Sequence, residues 1–140
     1  MRKLVATVER GSDGIYSIYV EDITYPYGII GTGPDVDTAM EDFMAGYEEM
    51  KEYIESTGET FIPAEFTFKY DIPSFLQEYA YAFSLSGLER ITGVNQKQLG
   101  HYISGYRHPS ERTVRKIEAS ILDFCEKLSS IRLFVPPRNK

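Results

Sequence analysis

The chain has no tryptophan, one cysteine and two histidines in 140 residues. A single cysteine, Cys125, excludes an intrachain disulfide. Neither His101 nor His108 has a cysteine or carboxylate at metal-ligand spacing, so no metal and no cofactor is expected. No apolar run approaches the roughly 18 residues that a membrane-spanning helix requires. The start, "MRKLVATVE", carries no apolar signal core behind its basic residues. These absences lead us to expect a reducing, cytoplasmic setting. "GTGP" (31–34) lacks both the glycine spacing and the lysine of a phosphate loop.

The chain is instead rich in tyrosine (11) and phenylalanine (8), with 42% hydrophobic and 26% charged residues. That is enough apolar material for a core, and the length suits one medium domain or two small ones. The net charge of −6 hides a split. Residues 1–71 hold 5 Lys/Arg and 15 Asp/Glu, a net −10, whereas residues 72–140 hold 10 Lys/Arg and 6 Asp/Glu, a net +4. Such asymmetry points to two partners of opposite charge.

In the acidic half, "KLVATVER" (3–10) and "GIYSIYVE" (14–21) flank "GSDG", which predicts a hairpin. "YGIIGTG" (27–33) reads as a short third strand and "EFTFKYD" (65–71) as a fourth. Between them, Val36, Met40, Phe43, Tyr47, Met50 and Ile54 fall at steps of three and four, one stripe of an α-helix. Asp35 is its expected N-cap and Gly58 its stop. The predicted fold is therefore α+β, a small antiparallel sheet with one packed helix over residues 1–70. The far face of that helix carries Glu41, Asp42, Glu48, Glu49, Glu52 and Glu55, a candidate surface for a basic partner.

The second half reads as helices. "PSFLQEYAYAF" (73–83) opens with a proline suited to a first turn. In "SLSGLERITG" (84–93), Ser86 and Glu89 fit a capping box and Gly93 a stop. "VNQKQLGHYISG" (94–105) has Asn95 as N-cap and Gly105 as stop, and Ser110 opens a long helix over 110–128. Two short helices across a tight glycine turn, within an all-α unit over 72–135, suggest a helix-turn-helix. The second would enter the DNA major groove. Asn95, Gln96, Lys97, Gln98 and His101 lie at its start and along one side, where Gln suits adenine and Lys guanine. Tyr106, Arg107, His108 and Arg112 surround the next loop and are placed for phosphates. Over 87–116 there are 6 Lys/Arg against 2 acids, which supplies the salt-dependent grip. The apolar, β-prone "SIRLFV" (130–135) could pair across a dimer or pack back on the helices, and residues 136–140 are expected to be a disordered tail.

"SGLERITGVNQKQLGHYISGYRHPSERTVRKI" (86–117) resembles the Cro/C1 or XRE-type helix-turn-helix. "KLVATVE", "YSIYVEDI", "GIIGTG" and "DVDTAMEDFMAGYEEM", in that order, resemble the HicB antitoxin domain, a partial RNase H-like fold. "EDITYPYGIIGTG" departs from that family's usual sequence. Together the two segments resemble HicB-type antitoxins. The resemblance implies an acidic N-terminal domain that neutralises a small basic HicA-like RNA-cleaving toxin. It also implies a C-terminal domain that represses its own operon as a homodimer or higher homo-oligomer, with no enzymatic activity and no membrane partner. The alternative is a phage-type or stand-alone transcriptional regulator with an N-terminal sensor or dimerisation domain. A metal-dependent nuclease would need Asp13, Asp22, Asp35 and Asp37 to cluster, yet Asp13 falls in a turn and Asp35 at a cap. Cys125 is expected to be a buried, inert thiol near the apolar stripe of the last helix.

Overall fold

A computed structural model describes residues 1–138, and the end of the tail expected at 136–140 lies outside them. The fold is α+β, with a mixed four-stranded sheet and, among the described residues, five helices. The chain divides into two compact units, Met1–Tyr79 and Ala80–Lys140.

In the first unit, β1 (Arg2–Arg10) and β2 (Tyr16–Val20) form an antiparallel hairpin. Its turn is closed by Gly11 N–H donating to the Ile15 carbonyl at 2.9 Å and Ile15 N–H donating to the Asp13 carboxylate at 2.9 Å. Gly14 takes a φ of 85° there, a conformation that favours glycine. β3 (Ile30–Gly33) pairs antiparallel with β2. Helix α1 (Val36–Ser56) follows, with Asp35 as its N-cap accepting from Thr38 N–H at 2.7 Å.

The chain then enters β4 (Ala64–Tyr70), which runs parallel to β1 and gives the order β3-β2-β1-β4. The expected all-antiparallel sheet is thus corrected to a mixed one. Two hairpin reversals leave β3 parallel to β1, and α1 returns the chain to the same end of the sheet before β4 begins.

Alternation decides the faces. Leu4, Ala6 and Val8 of β1 and Tyr16 and Ile18 of β2 are buried in one cluster with Ala39, Phe43 and Tyr47 of α1. The Phe43 ring sits 5.0 Å from Phe66 and 5.9 Å from Phe68, both edge-on, an arrangement favoured by the ring quadrupoles. Gly31 lets the backbones meet: a Cβ there would lie 2.4 Å from the Ala39 carbonyl oxygen and the Phe43 nitrogen. Tyrosine hydroxyls fix the approach to β4. Tyr25 donates to the Ile62 carbonyl (3.0 Å), while Tyr27 and Tyr47 accept from Ile62 N–H (2.9 Å) and Ala64 N–H (3.1 Å). Burial pushes the Tyr25 hydroxyl pKa up to about 12.

Helix α2 (Ile72–Tyr79) belongs to this first unit, although the sequence groups it with the later helices. A part-buried hydrogen bond ties it to β1. The Ser74 hydroxyl accepts from Arg10 N–H of β1 at 2.9 Å, and Ser74 N–H donates to Asp71 at 2.8 Å. The helix ends at Tyr79, short of the expected 83, and Ser84 is extended (φ −80°, ψ 156°) as the cap of the next one.

The second unit holds α3 (Leu85–Thr92), α4 (Gln96–Ser104) and α5 (Glu111–Ser129). Leu88, Val94, Leu99, Tyr102 and Ile117 are its buried apolar residues. The cap of α3 is Ser84, accepting from Gly87 N–H at 3.0 Å, and not Ser86. Asn95, Gly93, Gly105 and Ser110 occupy the capping positions read from the sequence. Cys125 is exposed, which corrects its expected burial: α5 is fully buried only at Ile117, with Val114, Ile121 and Phe124 half-buried.

Candidate functional site

The connection between α3 and α4 is three residues long and fully specified. Gly93 is left-handed at φ 74°, and its N–H closes on the Glu89 carbonyl at 2.7 Å. The Thr92 hydroxyl donates to the Leu88 carbonyl (2.7 Å) and accepts from Val94 N–H (3.1 Å), tying the helix end to the turn in a buried position. Val94 inserts its side chain into the core. The Asn95 side chain then accepts from Lys97 N–H at 2.8 Å. The Glu89 carboxylate crosses from α3 to accept from Gln96 N–H at 3.0 Å. Two donors that a helix start would leave unpaired are thereby satisfied within the protein. No sequence signal marks a Glu seven residues ahead of a helix start, and Glu89 serves α4 in place of the expected capping box with Ser86.

The residues singled out for recognition divide by what else they do. Gln96 and Lys97 are exposed. Asn95 is exposed, but its side-chain oxygen is committed to the cap. Gln98 is half-buried and donates through Nε2 to the Tyr102 hydroxyl at 3.1 Å. His101 is half-buried, with a buried Nδ1 that has no hydrogen-bond partner among the described residues. Its ring lies 5.0 Å from that of Tyr106. Tyr106, Arg107 and His108 are exposed in the loop after α4, with the Arg107 guanidinium 5.7 Å over the Tyr106 ring. Arg107 N–H donates to the His101 carbonyl at 3.3 Å, which holds this loop against the end of α4. Arg112 is exposed in the first turn of α5. The structure thus brings His101, Tyr106 and Arg107 together at the end of α4, with Lys97 one turn before His101 at its start, while Gln98 is partly engaged elsewhere.

The acidic residues of α1 are all exposed, but they form two rows. Glu41, Glu48, Glu52 and Glu55 follow at steps of seven, four and three. Asp42 and Glu49 lie on the flank toward β3. Asp42 accepts from Thr32 N–H at 2.9 Å, covering one outward donor of this edge strand. Glu49 lines a shallow depression of about 290 Å³ with Ile30, Gly46, Met50 and Tyr53. This flank therefore offers apolar surface beside acid, whereas the other row offers charge alone.

Near the start of α1, Glu78 of α2 has its carboxyl pKa raised, first by burial and then by the charges of Asp37 and Asp35. Thr24 and Arg2 hold the Asp22 carboxyl below its ordinary value. The Thr24 hydroxyl and N–H both donate to Asp22, and Arg2 bonds the Thr24 hydroxyl and carbonyl as well as Asp22. Asp13, Asp22 and Asp35 each serve local backbone structure. Among the described residues no three or more His, Cys, Asp or Glu side chains gather as metal ligands would. No helix among them is long and apolar enough to cross a membrane.

No family model, no curated protein and no solved structure matches this chain.

Proposed function

We propose that the chain is a HicB-like antitoxin and autorepressor, with the α3–α4 pair acting as a helix-turn-helix on operator DNA. One observation carries this reading. The three-residue turn is locked by Gly93, Thr92 and Glu89, and it leaves Gln96 and Lys97 exposed at the start of α4. A recognition helix needs that combination of a fixed angle and an unengaged polar start. Charge supports two partners. Met1–Tyr79 holds 5 Lys/Arg against 16 Asp/Glu, net −11, and Ala80–Lys140 holds 10 against 5, net +5. The basic unit suits phosphates. The acidic unit suits a small basic toxin, with the β3 flank of α1, including Glu49, as its docking face.

The test is co-expression of the chain with each small basic reading frame beside its gene. A frame that arrests growth alone, is silenced by this chain, and co-purifies with residues 1–79 intact supports the antitoxin reading. DNA binding with no such neighbour would leave the stand-alone regulator, the first unit then serving as a sensor or dimerisation domain.

A further inference from the structure

Gly46 stands in the middle of α1, where a glycine costs about 1 kcal/mol relative to alanine. Packing does not require it. An added Cβ would lie 3.6 Å from Ile29 Cγ2 and 3.8 Å from the Ile30 carbonyl oxygen, both ordinary contacts. Gly31, by contrast, is forced by backbone atoms 2.4 Å away. What the missing side chain at Gly46 leaves is the floor of the depression between β3 and α1. Glu49, Met50 and Tyr53 follow on the same face of the helix, three, four and seven residues on. Ile30 and Tyr53 are 61% and 64% exposed there. Asp42, the other acid on this flank, is committed to Thr32 N–H. Glu49 has no ion pair, and the Tyr53 ring no aromatic or cationic neighbour, among the described residues.

We infer that this depression receives one arginine side chain of a basic partner protein. The inference rests on the reading of the β3 flank of α1 as a docking face, and it names what enters there. Three features select that side chain. About 290 Å³ is room for one long side chain. The apolar wall of Ile30 and Met50 suits its methylene stem. At the rim, a guanidinium pairs with the Glu49 carboxylate through two parallel N–H donors and stacks on the Tyr53 ring. A lysine ammonium has neither the planar fork nor a flat face to stack. The acidic excess of the first unit draws cations to this surface.

The experiment is a titration of the isotope-labelled full chain with a blocked glycyl-arginyl-glycine peptide, read from backbone amide shifts. Saturable shifts confined to Ile30, Gly46, Glu49 and Tyr53 are expected, with a Kd of roughly 1–10 mM for so small a probe. The citrulline counterpart keeps the shape without the charge and is expected not to saturate. The lysine counterpart is expected to bind about threefold or more weakly. Glu49→Gln is expected to weaken the arginine peptide about threefold or more. Gly46→Ala, which fills the floor, is expected to weaken it about fivefold or more while raising the melting temperature of the first unit. A merely structural glycine would not move the two readouts in opposite directions. No shift at Gly46 up to roughly 50 mM peptide overturns the inference, as does binding that both variants leave unchanged. Equal binding of the lysine peptide overturns the choice of arginine. The peptide needs no toxin, so the two readings fail separately. A neighbouring toxin silenced equally by the wild type and both variants removes the arginine receptor and keeps the antitoxin. Arginine binding with no such neighbour keeps the receptor and removes the antitoxin.

Discussion

The carboxylate of Glu89, on α3, accepts from the backbone N–H of Gln96, the first residue of α4, at 3.0 Å. One side chain thus fixes the second helix against the first through its start. Glu89→Ala leaves that N–H to water and is expected to cost about 1 kcal/mol. Glu89→Gln keeps an acceptor and is expected to recover most of it. Urea denaturation of the three proteins measures both. If Ala and Gln behave alike, the bond does not brace the helix pair.

The same substitution at two glycines is expected to act in opposite directions. Gly31→Ala drives a methyl group into the backbone of α1 at Ala39 and Phe43, 2.4 Å away, where no side chain can yield. Such overpacking is expected to cost about 3 kcal/mol or more. At Gly100, inside α4, the nearest atom to an added Cβ is Leu85 Cδ1 at 3.9 Å. Gly100→Ala is expected to stabilise by about 1 kcal/mol through helix propensity. Thermal melts of the two variants, each with its own unit's transition followed, decide the signs.

On the sheet face away from α1, Thr7 lies between Tyr19 and Lys69 on the adjoining strands. It is buried, and its hydroxyl has no hydrogen-bond partner among the described residues. Thr7→Val removes an unsatisfied polar group and keeps the β-branched shape. A gain of about 1 kcal/mol is expected, since an unpaired buried hydroxyl costs about 1–3 kcal/mol. A loss on denaturation would mean that this hydroxyl is in fact satisfied.

Glu78 gives the first unit a pH dependence of known sign. Its carboxyl pKa is raised on folding above 4.5 by burial and by Asp37 and Asp35, so the folded state holds the proton more tightly. That contribution to stability is fully present below pH 4.5 and is lost as pH rises through the folded value. Glu78→Gln, neutral throughout, is expected to be more stable than wild type at pH 7 and to lose that advantage toward pH 4. A constant difference across the range would show that the Glu78 charge does not oppose folding.

Much of this architecture is legible in the sequence because the relevant signals are local. Asp35, Asn95 and Ser110 accept from N–H groups two or three residues ahead, and Gly93 and Gly105 supply left-handed turns. The α1 stripe buries Val36, Phe43 and Tyr47 as its spacing requires. What the sequence hides is long-range. Ser74 meets Arg10 across 64 positions, and the parallel sense of β4 depends on where α1 delivers the chain. Neither leaves a periodic trace. "SLSG" offers two serines as caps, and local pattern favoured Ser86 with Glu89, while the fold uses Ser84 and sends Glu89 to Gln96. In the candidate site, the exposure of Lys97 follows from the helix phase and that of Arg107 from its place in the loop after the Gly105 stop. The diversion of Gln98 to Tyr102 does not, because it depends on a rotamer.

The most direct measurement is binding of the full chain to the DNA upstream of its own gene, titrated over a series of salt concentrations. The wild type, Gln96→Ala and Arg107→Ala are compared on the preferred site and on single-base mismatches. If α4 reads the major groove, Gln96→Ala will lose about 1–3 kcal/mol of discrimination at one base pair. Arg107→Ala will weaken all sequences alike and flatten the salt slope by about one unit. Gln98→Ala, whose amide is already held by Tyr102, will do less than Gln96→Ala. Unchanged discrimination and an unchanged slope in these variants would contradict the DNA-binding role of the second unit.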